Sequence, residues 1–148
     1  MFRGTQTVKV DEKGRLKLPV FVKERLDEKY GPGSMYFVTS LTGDMALIYP
    51  LTEWERIEQI LSQAPGWDKL KKKFLFQANQ YGAEATLDDQ GRLLIPGKLR
   101  DQAGMKGEVK LQWESTHIEV LSQSRYDEEA EKNSLMPEDF ENLAKLGI

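Results

Sequence analysis

The sequence predicts an α+β fold built from two tandem copies of one hairpin–helix unit. Moving the chain along itself by 77 positions aligns five identical pairs: Asp11 with Asp88, Gly14 with Gly91, Arg15 with Arg92, Leu16 with Leu93, and Pro19 with Pro96. Apolar and polar residues alternate on both sides of each Asp-x-x-Gly, and an amphipathic segment follows each proline. Duplication of a supersecondary unit explains both features and gives the chain an internal pseudo-two-fold arrangement.

The first repeated element is a β-hairpin with one buried face. Its inward positions are Val8, Val10, Leu16 and Leu18. A period of two on both sides of a short polar loop is typical of such a hairpin. In the loop, Asp11 can accept backbone N–H groups and Gly14 can supply a positive φ. Pro19 then fits the first turn of a helix.

The two hairpins differ in their predicted outward faces. The first shows Lys9, Asp11, Arg15 and Lys17, with Lys13 at the tip; the second shows Thr86, Asp88, Arg92 and Leu94, with Gln90 at the tip. The first face is cationic and the second is nearly neutral. The shared Asp and Arg can form an ion pair that ties each hairpin together, or they can serve a binding function; the pattern alone leaves both open.

The remaining elements follow in order. We divide the chain into a first repeat (1–51), a helical connector (52–81), a second repeat (82–126) and an acidic C-terminal tail (127–148). Predicted helices cover 19–29, 52–63, 67–79, 96–103, 125–132 and 137–146, and further strands cover 35–41, 45–49, 108–113 and 117–121. Thr52 and Glu55 have capping-box spacing. The apolar stripe that includes Trp54 and Ile60 is expected to be core. The lysines of 69–73 form a solvated face or contact phosphate.

Composition excludes several functional classes. The chain has no cysteine and one histidine, His117, so it offers no thiolate metal site and no cluster with metal-ligand spacing. It contains no phosphate-binding loop and no nucleophile elbow, and Asp88-Asp89 lies at a solvated tip. We therefore expect a protein that is not an enzyme and has no cofactor. Without a secretory signal core or an apolar span of about 18 residues, we expect a cytoplasmic protein that does not enter membranes.

Charge is distributed unevenly along the chain. The net charge is −3, but residues 1–25, which include Arg3, carry seven cations against three acids, whereas residues 108–148 carry four cations against ten acids. Local fields matter more than the total for a polyanion, so this asymmetry allows a basic face on an acidic protein.

Several motifs together resemble one known family. They are the opening Met-Phe-Arg-Gly, the two Asp-x-x-Gly-Arg hairpins, Tyr49-Pro50 followed by Trp54-Glu55, and the second copy's Gly-Arg-Leu-Leu-Ile-Pro. Over residues 1–126 they resemble the MraZ family of bacterial transcriptional regulators, which belongs to the SpoVT/AbrB-type swapped-hairpin proteins. The resemblance implies two tandem AbrB-like β-barrel half-units with flanking helices, related by a pseudo-two-fold axis within one chain.

The resemblance also implies a function. Members are nucleoid-associated DNA binders that regulate their own division and cell-wall operon; here we expect repression. They bind short direct repeats in the promoter and assemble into homo-oligomeric rings, such as an octamer. Their Asp-x-x-x-Arg motif reads double-stranded DNA, which carries over to Asp11/Arg15 and Asp88/Arg92. The second copy departs from the first, because Gln90 and Leu94 stand at the positions of Lys13 and Lys17.

Elementary chemistry agrees with DNA binding. Arg15 can offer a planar fork to guanine, while the neighbouring Lys9, Lys13 and Lys17 can take phosphates. No small-molecule substrate is expected. The alternative is an antitoxin-like protein-binding module whose acidic tail grips a basic partner.

Overall fold

The computed structural model describes all 148 residues and contains an eight-stranded antiparallel sheet with six helices. The strands are β1 (Gln6–Val10), β2 (Arg15–Lys17), β3 (Met35–Thr39), β4 (Ala46–Pro50), β5 (Ala83–Thr86), β6 (Arg92–Leu94), β7 (Gly107–Glu114) and β8 (His117–Ser122). The helices are α1 (Val20–Tyr30), α2 (Leu51–Leu61), α3 (Lys69–Tyr81), α4 (Gly97–Ala103), α5 (Gln123–Lys132) and α6 (Pro137–Lys145). The predicted element boundaries agree with these to within two residues.

Strands of the two repeats are exchanged within the sheet, whose order is β5-β3-β4-β8-β7-β1-β2-β6. The first strand of each repeat pairs with the third strand of the other: β1 with β7, and β5 with β3. The β1–β2 hairpin itself is joined at one pair, Val10↔Leu16, and β2 then pairs with β6. The two ends of this order, β5 and β6, are the arms of the second hairpin, so the sheet nearly closes into a barrel. This confirms the predicted α+β class and the tandem swapped-hairpin fold.

The barrel interior is the main core, and both repeats supply it. The four inward positions predicted for the first hairpin are all buried, and Leu16 faces Leu93 at the centre with both side chains fully enclosed. Alternation therefore puts the intervening residues of β2 and β6 on the outside. Because the repeats share one sheet and one core, the boundaries drawn at residues 51, 81 and 126 stay predictions.

The connector helices cover a second, smaller core. Trp54 is buried there, with its ring centroid 4.8 Å from that of Phe37 and 5.7 Å from that of Phe74. Two expectations about this segment are wrong. The capping box at Thr52 is absent because α2 begins at Leu51 with Pro50 as its N-cap and no side-chain cap. The apolar stripe ends before Ile60, which is 66% exposed.

None of the six helices combines the length and the apolar composition needed to span a membrane.

Candidate nucleic-acid interface

The two Asp-Arg turns have the same hydrogen-bonded geometry. Asp11 Oδ1 accepts the backbone N–H groups of Lys13 (3.0 Å) and Arg15 (2.9 Å), and its Oδ2 accepts Nε–H of Arg15 at 2.8 Å. The backbone N–H of Gly14 donates to the Asp11 carbonyl at 3.0 Å, with φ of +83° at the glycine. One carboxylate thus fixes the loop backbone and the arginine together.

The second turn repeats these contacts. Asp88 accepts the backbone N–H groups of Gln90 (2.9 Å) and Arg92 (2.8 Å), and it accepts Nε–H of Arg92 at 2.7 Å. The backbone N–H of each arginine is the largest cause that holds the pKa of its aspartate below the ordinary value, and the guanidinium adds to it. Both carboxylates are therefore ionised at neutral pH, so each turn presents a preordered arginine.

The two arginines nevertheless differ in how freely they are presented. Asp11 holds Arg15 through Nε, and both Nη atoms of Arg15 donate no hydrogen bond within the chain. Arg92 also reaches the opposite repeat, with its Nη1 4.0 Å from Asp11 Oδ2, and its side chain is less exposed (23% against 31%). The fork of Arg15 is the more available for an outside acceptor.

Pairing of β2 with β6 joins the two turns on one outer face. Arg15 lies opposite Leu94 and Lys17 lies opposite Arg92. Backbone hydrogen bonds continue this ribbon on both sides, from Leu18 N–H to the Gly91 carbonyl (3.0 Å) and from Ile95 N–H to the Gly14 carbonyl (2.9 Å). We call the outer surface formed by Arg15, Lys17, Arg92 and Leu94 the ribbon face. Lys17 and Arg92 thus place two positive charges directly opposite each other, an arrangement that normally destabilises a sheet.

The other predicted contact residues lie around the ribbon face in different settings. Lys17 also donates through Nζ to the backbone carbonyl of Gln90 at the second tip. Lys9 and Lys13 are exposed, but Lys9 lies opposite Glu108 of β7, which weakens its positive field. Arg3 is exposed and forms no hydrogen bond or ion pair with either turn, although the preceding Phe2 is buried in the core.

Sequence reasoning missed a cation behind each turn. The side chain of Arg100 in α4 lies directly against Gly14, where an added Cβ would come within 2.4 Å of its ζ carbon. At the second turn the Lys23 side chain of α1 approaches Gly91, with 3.4 Å between Cδ and such a Cβ. The 77-residue shift aligns Lys23 with Arg100, so the repeat itself carried this signal. Each helix thus supports the turn of the other repeat.

The side chain of the only histidine packs against an aromatic ring. His117 stacks on Tyr49 with ring centroids 4.4 Å apart, and burial lowers its pKa, so the imidazole is neutral at pH 7. The structure contains no group of three or more His, Cys, Asp or Glu residues placed to hold a metal ion.

A nearly closed barrel of exchanged hairpins, with one Asp-Arg turn per repeat, defines a tandem swapped-hairpin protein of the SpoVT/AbrB type. Comparison with known families agrees: the model described as "MraZ protein, putative antitoxin-like" matches residues 1–77 and 81–145. The chain belongs to the MraZ family.

Curated relatives carry the same family name. The protein named "Transcriptional regulator MraZ" of Acidobacterium capsulatum is 45% identical over 148 residues, which is the full length of both chains. Its namesake in Koribacter versatilis is 37% identical, again over the full length of both chains. That of Yersinia pestis is 36% identical over 126 residues, covering 85% of this chain and 82% of the relative.

Proposed function

We propose that this protein is a sequence-specific DNA-binding transcriptional regulator. The observation that carries the proposal is the ribbon face, where Arg15, Lys17 and Arg92 are exposed or half-exposed on two paired strands. The names of the relatives, which call them transcriptional regulators, support it. The protein acts by binding double-stranded DNA, without a cofactor or a small-molecule substrate.

The preordered arginines supply recognition. A guanidinium held through Nε keeps its two Nη groups available, and this fork matches the O6 and N7 acceptors of guanine in the major groove. A two-stranded ribbon fits that groove. Lys9, Lys13 and Lys17, with Arg3 further along the surface, take phosphates and fix the register without reading sequence. Asp11 and Asp88 act by positioning the arginines.

The resemblance supports a specific target. We propose that the protein binds short direct repeats in the promoter of its own division and cell-wall operon and represses it, in the cytoplasm at the nucleoid. We also propose a homo-oligomer, a closed ring such as an octamer. Ring contacts are head-to-tail, so each copy presents its ribbon face in the same sense, which suits direct repeats spaced about 10 bp apart.

The test is binding of the full-length protein to the DNA upstream of its own coding sequence. We expect tight, salt-sensitive binding to this duplex, and weaker binding to a scrambled duplex of equal length and composition. If scrambling only the direct repeats abolishes the preference, the direct repeats are the sequence that the protein recognises. Equal affinity for all duplexes at every salt concentration would contradict the proposal.

Two observations favour a second candidate, an antitoxin-like protein-binding module. The tail after Tyr126 carries seven acidic residues against two lysines and buries none of its side chains, and the matching family is described as antitoxin-like. A basic protein from a neighbouring gene that co-purifies with the full chain, and not with a chain ending at residue 126, would favour this candidate. Operator binding unaffected by that truncation would favour the first.

A further inference from the structure

The C-terminal helix lacks a packing partner inside the chain. No residue of α6 is buried, and its Phe140 is 58% exposed. Met136, Phe140 and Leu143 recur at helical spacing, so the helix has one apolar stripe. A helix of nine residues is marginal in water by itself and gains most of its stability from packing such a stripe. The sequence of α6 therefore indicates a helix that packs against another surface.

Next to this stripe the tail forms an open notch of mixed polar and apolar lining. A cavity of about 380 Å³ lies between the end of α5 and α6, and three leucines line it together with five polar or charged residues: Leu135, Leu143 and Leu146, with Lys132, Asn133, Ser134, Asp139 and Asn142. Glu138 and Glu141 lie on the exposed side of the same helix. Residues 127–148 carry a net charge of −5. The tail thus offers an open notch that contains three leucines, within a segment of net negative charge.

A surface of opposite character lies on α3. This helix contains four lysines and no acidic residue. Its Ala78 and Tyr81 are buried against the barrel, whereas Phe76 is 66% exposed. Lys72 and Lys73 precede Phe76 by four and three residues, so they flank its ring on the helix surface. One exposed apolar residue is ordinary, but an aromatic ring framed by lysines complements the exposed leucines and the negative charge of the tail.

We propose that α3 of one copy is the docking surface for the C-terminal tail of a second copy of this chain. Phe76 fills the notch lined by Leu135, Leu143 and Leu146, and Lys72 and Lys73 face Glu138 and Glu141. Both surfaces remain open within one molecule, so neither satisfies the other there. An interface between two different surface patches is head-to-tail. It adds one copy after another, and the assembly closes into a ring when the rotation between neighbouring copies allows it. The inference rests on the self-association proposed above and is independent of DNA binding.

The test uses charge reversal in the full-length protein, measured by sedimentation velocity without DNA. We expect the Lys72→Glu/Lys73→Glu variant and the Glu138→Lys/Glu141→Lys variant each to dissociate at concentrations at least tenfold above the wild type. An equimolar mixture of the two should regain association, because each tail then meets a surface of opposite charge. The matched control is Lys29→Glu/Lys106→Glu, two exposed lysines outside α3, which should associate like the wild type.

Cysteine cross-linking locates the contact, since the chain contains no cysteine of its own. We expect Phe76→Cys and Leu143→Cys, carried on separate chains, to form a mixed disulfide dimer on oxidation. Phe76→Cys paired with Phe21→Cys is the control and should not. If the wild type associates and neither reversal weakens it, the docking contact is wrong while self-association stands. A monomeric wild type would overturn both and leave DNA binding to its own test. If Lys72→Glu/Lys73→Glu lowers DNA affinity alone, these lysines serve DNA and the docking contact is wrong.

Discussion

Replacing Arg15 by alanine should remove sequence preference while leaving the fold intact. The side chain is about one-third exposed, and its ion pair with Asp11 lies at the surface, where such pairs contribute little to stability. Asp11 keeps its two backbone hydrogen bonds in the variant, so the turn stays closed. What the variant loses is the fork formed by the two Nη atoms.

The expected size follows from the chemistry of that fork. A good bidentate contact between arginine and guanine discriminates against the wrong base by about 1–3 kcal/mol. At 1.4 kcal/mol per factor of ten, this is a loss of about 5- to 140-fold in operator affinity for each turn bound. Affinity for scrambled DNA should change far less, because Lys9, Lys13 and Lys17 remain. The ratio of the two affinities should therefore fall towards one.

Fluorescence anisotropy with a direct-repeat duplex and a scrambled duplex, at one salt concentration, measures this ratio. Thermal unfolding of the same preparations checks the fold. Arg92→Ala is the matched control, and we expect a smaller loss of affinity because Arg92 is more buried and lies near both Asp11 and Asp88. If Arg15→Ala discriminates as well as the wild type, Arg15 does not read a base. Equal losses in the two variants would refute the asymmetry between the repeats.

Four further substitutions test other parts of the structure. Lys17→Ala should weaken all DNA about equally and lower the log–log salt slope by about 1 per bound hairpin; an unchanged slope in a NaCl series would argue against a phosphate contact. Gly14→Ala and Gly91→Ala should each lower the free energy of unfolding, measured in urea, by about 1–2 kcal/mol, because both glycines have a positive φ. The loss should be larger for Gly14→Ala, because the added Cβ would displace the Arg100 side chain. Tyr36→Phe should raise the unfolding free energy by about 1 kcal/mol, because the Tyr36 hydroxyl is buried without a hydrogen-bond partner and burial raises its pKa to about 12. A lower unfolding free energy in the variant would show that the hydroxyl does have a hydrogen-bond partner.

Local patterns in the sequence predicted most of the elements. A two-residue period places Leu16 on the inner face of its strand and Arg15 on the outer face, whichever strand pairs with it. The inward and outward faces of both hairpins therefore followed directly from the sequence. The turn chemistry of Asp11 and Gly14 is likewise local, since its hydrogen bonds span at most four residues. The capping box predicted at Thr52 is absent because the helix begins at Leu51, with Pro50 as its N-cap, and a local signal cannot show which of two adjacent starts is used.

The sequence by itself determined the duplication, the two turns and the side chains that point outward. Only the tertiary structure decided which strands meet: β2 pairs with β6, so Lys17 faces Arg92, and β1 pairs with β7, so Lys9 faces Glu108. It also placed Arg100 behind Gly14. The physical reason is that the pleat fixes a side chain's face within its own strand, whereas the β1–β7 and β2–β6 pairs join residues 75 or more positions apart in the chain. That choice depends on burying both repeats in one core, which no short stretch of sequence encodes.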